Sequence, residues 1–304
     1  MKDTATLNEK QLIAREKLNN PSLMKTIWRE ILHDKMALGS LILLTIILLT
    51  AYISPLLIDQ TALTRVNFFN VWKPPSGANW LGTDDGGRDV FGQLMIGTRN
   101  SFTIGICVTL IAGLFGLTYG LISGYYGGAI DNIMMRILEF LMVLPSLMFI
   151  IVFVVIVPNY NVFTFILIMS AFAWFGKARL IRSRALSERE LDYINASRTL
   201  GTPSWKIMFF EMFPNLSSLV IVNMTLTLAG NIGLETGLSF LGFGLPAGTP
   251  SLGTLISFAS NPDIVKNKWW VWLPAALLIL VMMLCINYIG QAVKRASDAR
   301  QRLA

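Results

Sequence analysis

Charge is scarce in this chain, and so are the residue types that usually carry catalysis or metal binding. Of 304 residues only 14% are charged, whereas 54% are hydrophobic. The one histidine, His33, sits among charged neighbours and reads as a surface residue, because a metal site needs several ligands. The two cysteines, Cys107 and Cys285, lie inside apolar runs without metal-ligand spacing, which argues against a disulfide framework or a zinc site and for packing roles. No Gly-x-x-x-x-Gly-Lys-Ser/Thr run occurs, so the chain lacks a phosphate-cradling loop for hydrolysing ATP itself. His-Glu-x-x-His and Gly-x-Ser-x-Gly are missing too, and nothing recommends an enzyme, a resident metal or a bound cofactor.

What the chain does have is apolar length. Six runs, at about 36–57, 102–124, 133–157, 162–181, 216–243 and 270–291, are long enough to cross a bilayer as helices. They are continuously apolar rather than alternating, which excludes a barrel and predicts an all-α polytopic membrane protein. The net charge of +7 is explained by topology rather than nucleic-acid binding. Of the 25 lysines and arginines, nineteen fall on one set of faces and six on the other. The positive-inside rule then places both termini on the cytoplasmic side.

The resulting organisation is a cytoplasmic tail at 1–35, a first span with an extracytoplasmic loop at 36–101, a core at 102–291 and a tail at 292–304. No apolar core begins near the start, so the first span reads as an uncleaved anchor. Asn20 and Pro21 suit the start of a helix in which Leu23, Met24, Ile27, Trp28, Ile31 and Leu32 form a stripe, an interfacial helix lying on the membrane. Glycine recurs at 116, 120, 124 and 128, which invites a second helix to approach closely. Pro158-Asn159-Tyr160-Asn161 suits a tight hairpin, Pro145 a kink, and Arg136 with Glu139 an interfacial ion pair.

Two stretches are candidates for function on these grounds alone. The cytoplasmic loop 182–214 reads as two short helices hinged at Gly201-Thr202-Pro203. Tyr193, Ile194 and Leu200 give the first an apolar edge, and Trp205, Ile207, Met208, Phe209 and Phe210 give the second one. Such an element needs a surface to press against, a protein partner or the bilayer interface. In the fifth span Asn223, Thr227, Asn231, Glu235 and Ser239 recur every four residues. A carboxylate at mid-bilayer costs roughly 2.5–3.5 kcal/mol, so Glu235 must face protein or a water-filled cavity. The stripe is expected to line a pathway; hydrogen bonding between helices is the competing use.

The outer segment ending Trp80-Leu81-Gly82-Thr83-Asp84-Asp85-Gly86-Gly87-Arg88-Asp89-Val90 is too polar and turn-rich for lipid, and is either a solvated loop or a docking surface. The run LGTDDGGRDVFGQLMIGTRNSF resembles the segment before the second span in permease subunits of ATP-binding-cassette importers for dipeptides, oligopeptides and nickel. WREILHDKMALGSLILL resembles the approach to their first span. Asn195-Ala196-Ser197, Gly201 and Glu211-Met212-Phe213-Pro214 resemble that family's Glu-Ala-Ala-x3-Gly-x9-Ile-x-Leu-Pro motif, with Ala196, Gly201 and Pro214 matching and Asn195 in place of the acid. The segment Leu234 to Gly244 is similar to the fifth-span pattern that borders the translocation path.

The resemblance implies a type I importer permease fold with six transmembrane helices, located in the cell membrane. It implies pairing with a homologous second permease, two ATP-binding subunits that hold ATP and magnesium, and an extracytoplasmic substrate-binding protein. On this basis Asn195, Ala196, Ser197, Leu200, Gly201, Trp205 and Pro214 are expected to couple to the ATPase. Asn223, Thr227, Asn231, Glu235 and Ser239 are expected to line the pathway, and Gly82, Thr83, Asp84, Arg88 and Asp89 to meet the binding protein. Oligopeptides or dipeptides are the expected cargo, with a nickel chelate as the alternative. An ion-coupled secondary transporter using Glu235 is the reading from a different class.

Overall fold

The structure, a computed structural model, describes residues 23–57, 65–158, 160–246 and 248–301. Among these residues it is helical almost throughout, with an isolated bridge between Thr83 and Asp89. In chain order the helices are α1 (Leu23–His33), α2 (Lys35–Leu57), α3 (Val90–Tyr126), α4 (Gly128–Val143), α5 (Ser146–Ile156), α6 (Val162–Ala173), α7 (Phe175–Glu188), α8 (Asp192–Thr199), α9 (Phe213–Phe240), α10 (Leu252–Ile256), α11 (Pro262–Asn267) and α12 (Trp269–Gln301). Four continuous helical stretches are long and apolar enough to cross a membrane, and the number rises to six if the bent pairs α4–α5 and α6–α7 each count as one.

The bundle is built around α3, which packs against α2, α6, α7 and α9. Its glycines at 116, 120 and 124 form a seam for α7. A Cβ on Gly120 would stand 2.6 Å from the Ala178 carbonyl, and one on Gly124 would stand 2.5 Å from Ala185 Cβ. Gly128 does not belong to this seam: it has open space around it and a φ of +54°, and it begins α4 instead. The helix is also longer than its apolar run, starting at Val90 rather than near 102. Asp89 caps it by accepting from the Gly92 amide at 2.7 Å, so residues 90–101 are helical.

Proline 145 stops a helix rather than bending one. Leu144, held extended before the ring, ends α4, and α5 leaves at 77°. A second bend of 44°, between α6 and α7 at Trp174, has no proline or glycine at the break to announce it. Arg136 and Glu139 pair at 3.5 Å on an exposed face. An ion pair that ties elements together is Asp131 of α4 with Arg182 of α7, whose Nε donates at 2.8 Å.

The helix α1 does not present its stripe to one surface. Ile27 and Ile31 are buried with Ala292, Val293 and Ala296 of α12, whereas Met24, Trp28 and Leu32 are exposed. Arg295 of α12 reaches back to Glu30 and Asp34. Asn20 and Pro21 lie outside the described residues. His33 is exposed, and Cys107 and Cys285 are free thiols.

Candidate functional site

The element at 182–214 is shorter and more continuous than two hinged helices. Arg182 belongs to α7, which runs to Glu188, so the separate piece is α8 alone. Gly201 ends α8 with φ +79°, and the bonds from Gly201 N to Arg198 O and from Thr202 N to Ser197 O close a Schellman cap. Beyond Pro203, one helical turn at Ser204–Lys206 passes into a π-helical stretch, Ile207–Met212, and straight on into α9. Pro214 explains the widening, since it has no amide to give and its ring crowds the preceding turn. The second helix predicted from sequence is therefore the leading end of the fifth-span helix.

This element has a buried side and a bare side. Ile194, Ile207, Met208 and Met212 pack with Leu121, Ile181 and Ala185 of α3 and α7. Tyr193 donates to Glu188 at 2.5 Å and accepts from Asn215 at 2.7 Å, joining the ends of α7 and α9. Burial first, and Glu188 next, push its phenol up to about 12, so it stays protonated and remains a donor. Arg198 lies over the Tyr125 ring at 4.6 Å. Leu200 is 85% exposed, Phe210 65% and Trp205 58%, and Asn195, Ala196, Gly201 and Pro214 are exposed as well, with Ser197 half-buried. Glu211 is half-buried, and one of its carboxylate oxygens has no hydrogen-bond partner among the described residues.

The segment 65–89 is a folded collar. Asp84, with no exposure, accepts from the amides of Gly86 and Arg88, from Arg88 Nε at 2.8 Å and from Gln93 Nε2 at 2.9 Å. Thr83 Oγ1 accepts from the Lys73 amide and donates to the Asn70 carbonyl, while Trp270 Nε1 donates to the Thr83 carbonyl. Gly87 is required where it stands, because a Cβ there would fall 1.9 Å from the Asn67 carbonyl. Of the docking residues expected from sequence, Gly82, Thr83 and Asp84 are thus buried and used internally, and Arg88 and Asp89 are half-buried. Burial holds Asp89 above the usual carboxylate range, against the pull of the Gly92 amide. The exposed side chains of the region include Asp85, Phe68, Phe69 and Trp80.

The fifth-span stripe divides in two for a geometric reason. Residues four apart advance 400°, so each step drifts about 40°, and Asn223 and Ser239 end roughly 160° apart on the helix. Asn223 and Thr227 are half-exposed, and the open face continues through Gly230, Leu234 and Gly237 rather than through the predicted acid. Asn231, Glu235 and Ser239 are buried. Asn231 Nδ2 donates to Thr109 Oγ1 of α3 at 2.8 Å.

Glu235 has no exposure and sits among four hydroxyls, those of Ser101, Thr236, Ser239 and Ser251. Ser239 donates at 2.8 Å. Ser101 Oγ accepts from the Leu252 amide and Ser251 Oγ from the Thr254 amide, which leaves each hydroxyl hydrogen for the carboxyl. Glu235 thereby ties α9 to α3 and to the N-terminus of α10. Asn231, through its amide nitrogen, and Glu235 bond between helices, and Ser239 bonds Glu235 within α9.

The open face of α9 borders a cavity of about 210 Å³ between α5, α6, α7 and α9, lined in part by Thr227, Gly230 and Asn231. Lys177 also lines it. Sequence reasoning counted this lysine only as one more cytoplasmic positive charge, yet it is 6% exposed. Its position on the bend after Trp174 is what turns it inward, and the apolar run ahead of it is the signal that it lies deeper than its basic neighbours.

Comparison with known proteins agrees with this architecture. A family model described as the inner membrane component of binding-protein-dependent transport systems matches residues 116–303, and one for the N-terminal transmembrane domain of oligopeptide transport permease C matches residues 22–75. The chain is 50% identical over 284 residues to the oligopeptide transport system permease protein OppC of Lactococcus lactis subsp. lactis (strain IL1403), covering 93% of this chain and 97% of that one. It is 35% identical to the OppC protein of Bacillus subtilis (strain 168), covering 94% and 93% of the two chains. It is also 35% identical to the dipeptide transport system permease protein DppC of the same strain, covering 97% and 92%. The chain therefore belongs to the family of inner membrane components of binding-protein-dependent transport systems.

Proposed function

We propose that the chain is one permease subunit of an ATP-driven importer of oligopeptides or dipeptides. In this reading it crosses the membrane six times, with each bent pair forming one span and both termini in the cytoplasm, in a type I importer fold. It pairs with a homologous permease around one pathway, is driven by two ATP-binding subunits that carry ATP and magnesium, and receives its cargo from an extracytoplasmic binding protein. The observation that carries the proposal is the cytoplasmic element. Leu200, Trp205 and Phe210 are bare on an element whose other side is fixed in the bundle by Ile194, Ile207, Met208 and Met212. An apolar surface so anchored suits a partner that moves, because only contacts that differ between two states transmit work.

Asn195, Ala196, Ser197, Leu200, Gly201, Trp205 and Pro214 fall on or beside this surface and are proposed to meet the ATPase. The open face of α9, with Asn223 and Thr227, is proposed to border the pathway. On the outer side, docking of the binding protein is assigned to Asp85, Phe69 and Trp80, held in place by the collar around Asp84. Co-expression with the ATP-binding subunits, purification in detergent and peptide uptake in proteoliposomes test the proposal. Co-purification with ATP-dependent uptake is expected; an isolated chain with no affinity for ATP-binding subunits would overturn it.

A further inference from the structure

We propose that Lys177 is a carboxylate-binding site within the translocation pathway, and that it engages the C-terminal carboxylate of a peptide in transit. The inference rests on the peptide-import reading above and assigns a residue and a chemistry to it.

Lys177 stands just past the 44° bend between α6 and α7, where the apolar run of α6 gives way to a basic helix, and is 6% exposed. Its Nζ donates to the Ala173 carbonyl at 2.8 Å, and no acidic side chain among the described residues forms an ion pair with it. An ammonium has three hydrogens to give, and one carbonyl takes one of them. Basic side chains held in a membrane interior are costly unless they pair or face a watery cavity, and they mark substrate paths for that reason. The cavity of about 210 Å³ supplies the space.

The other polar groups of that cavity suit the end of a peptide. Asn231 commits its amide nitrogen to Thr109, which leaves its carbonyl oxygen to accept a peptide N–H. Thr227 offers a hydroxyl, and Gly230 has nothing within 4 Å of where a Cβ would be, so backbone can approach there. Phe172 and Ile150 line the remainder and are indifferent to side-chain identity. Every linear peptide carries one C-terminal carboxylate whatever its sequence, so a single cation provides a handle independent of sequence. Lysine is a point charge on a flexible stem rather than a bidentate clamp, which suits a ligand that must leave again.

The test uses the complete importer in proteoliposomes and compares uptake of one peptide with that of its C-terminal amide, in wild type and in Lys177→Gln. Discrimination by the binding protein is common to both preparations and cancels in the ratio of ratios. Lys177→Gln is expected to lower the acid-to-amide uptake ratio roughly tenfold, the scale of one charge-assisted hydrogen bond. Lys177→Arg should keep the ratio within about twofold of wild type on the same scale. Asn231→Asp, which places a competing carboxylate in the cavity with the lysine retained, should lower the ratio as well. An unchanged ratio in Lys177→Gln and Asn231→Asp overturns the site, including the case in which both peptides slow equally because Lys177 pairs with an acid of the second permease. Wild-type importer that carries neither peptide would instead overturn the peptide-import reading and the site with it.

Discussion

At Glu235 a carboxyl with no exposure is surrounded by four hydroxyls drawn from α3, α9 and the cap of α10. Removing it strands the hydroxyl hydrogens of Ser101, Ser239 and Ser251 in an apolar interior, where an unsatisfied polar group costs about 1–3 kcal/mol, while Thr236 keeps its bond to the Ile232 carbonyl. Glu235→Ala is therefore expected to destabilise the purified protein by about 3 kcal/mol, within the range of a broken buried network. Glu235→Gln, which keeps one acceptor oxygen, should cost about 1 kcal/mol. Thermal unfolding in detergent measures both, and equal effects would mean that the hydroxyls find other partners. The sequence shows that Glu235 needs partners, because no carboxylate sits alone in a membrane. Which partners it has depends on Ser101 and Ser251, which are distant in the chain and carry no mark of the role. Lys177 is hidden in the opposite sense, since it looks like one of many boundary charges until the bend at Trp174 places it inside.

Among the elements, the glycine seam of α3 and the cap of α8 were readable for different reasons. Gly116, Gly120 and Gly124 announce a close partner by spacing alone, although only the fold identifies it as α7. A Cβ on Gly120 would meet main chain rather than a flexible side chain, so Gly120→Leu must push α7 away. A loss of about 3 kcal/mol is expected from such overpacking, read as a lowered unfolding temperature, whereas Gly230→Ala has open space and should fold normally. Gly201 differs again, with free space but a φ of +79° that other residues adopt at a cost of about 1–2 kcal/mol. Gly201→Val should leave the bundle intact and disorder the Leu200 side of the element. Loss of co-purifying ATP-binding subunit, with normal yield of the permease, is the expected result. The π-helical stretch before Pro214 was not legible, because a proline near a helix start normally signals a first turn rather than a widened one.

For the whole molecule, the placement of its free groups bears on what drives it. An ion-coupled carrier would need a carboxylate that meets water and cargo, and Glu235 was the sequence's candidate. In the structure Glu235 is enclosed by hydroxyls of its own chain, on the side of α9 turned away from the open face that continues through Gly230 and Gly237. The groups that remain available lie at the two ends and in the middle. They are the bare Leu200, Trp205 and Phe210 at one end, the cavity with Lys177, and the collar around Asp84 at the other. That distribution suits a subunit worked from the cytoplasm by a partner, with cargo passing the open face of α9. Peptide uptake by the reconstituted complex should accordingly stop when ATP inside the vesicles is replaced by a non-hydrolysable analogue, and should survive a protonophore or the removal of sodium. Uptake that persists without hydrolysis and collapses with the ion gradient would return Glu235 to the centre of the mechanism, because the helix face that now points inward would have to open during transport.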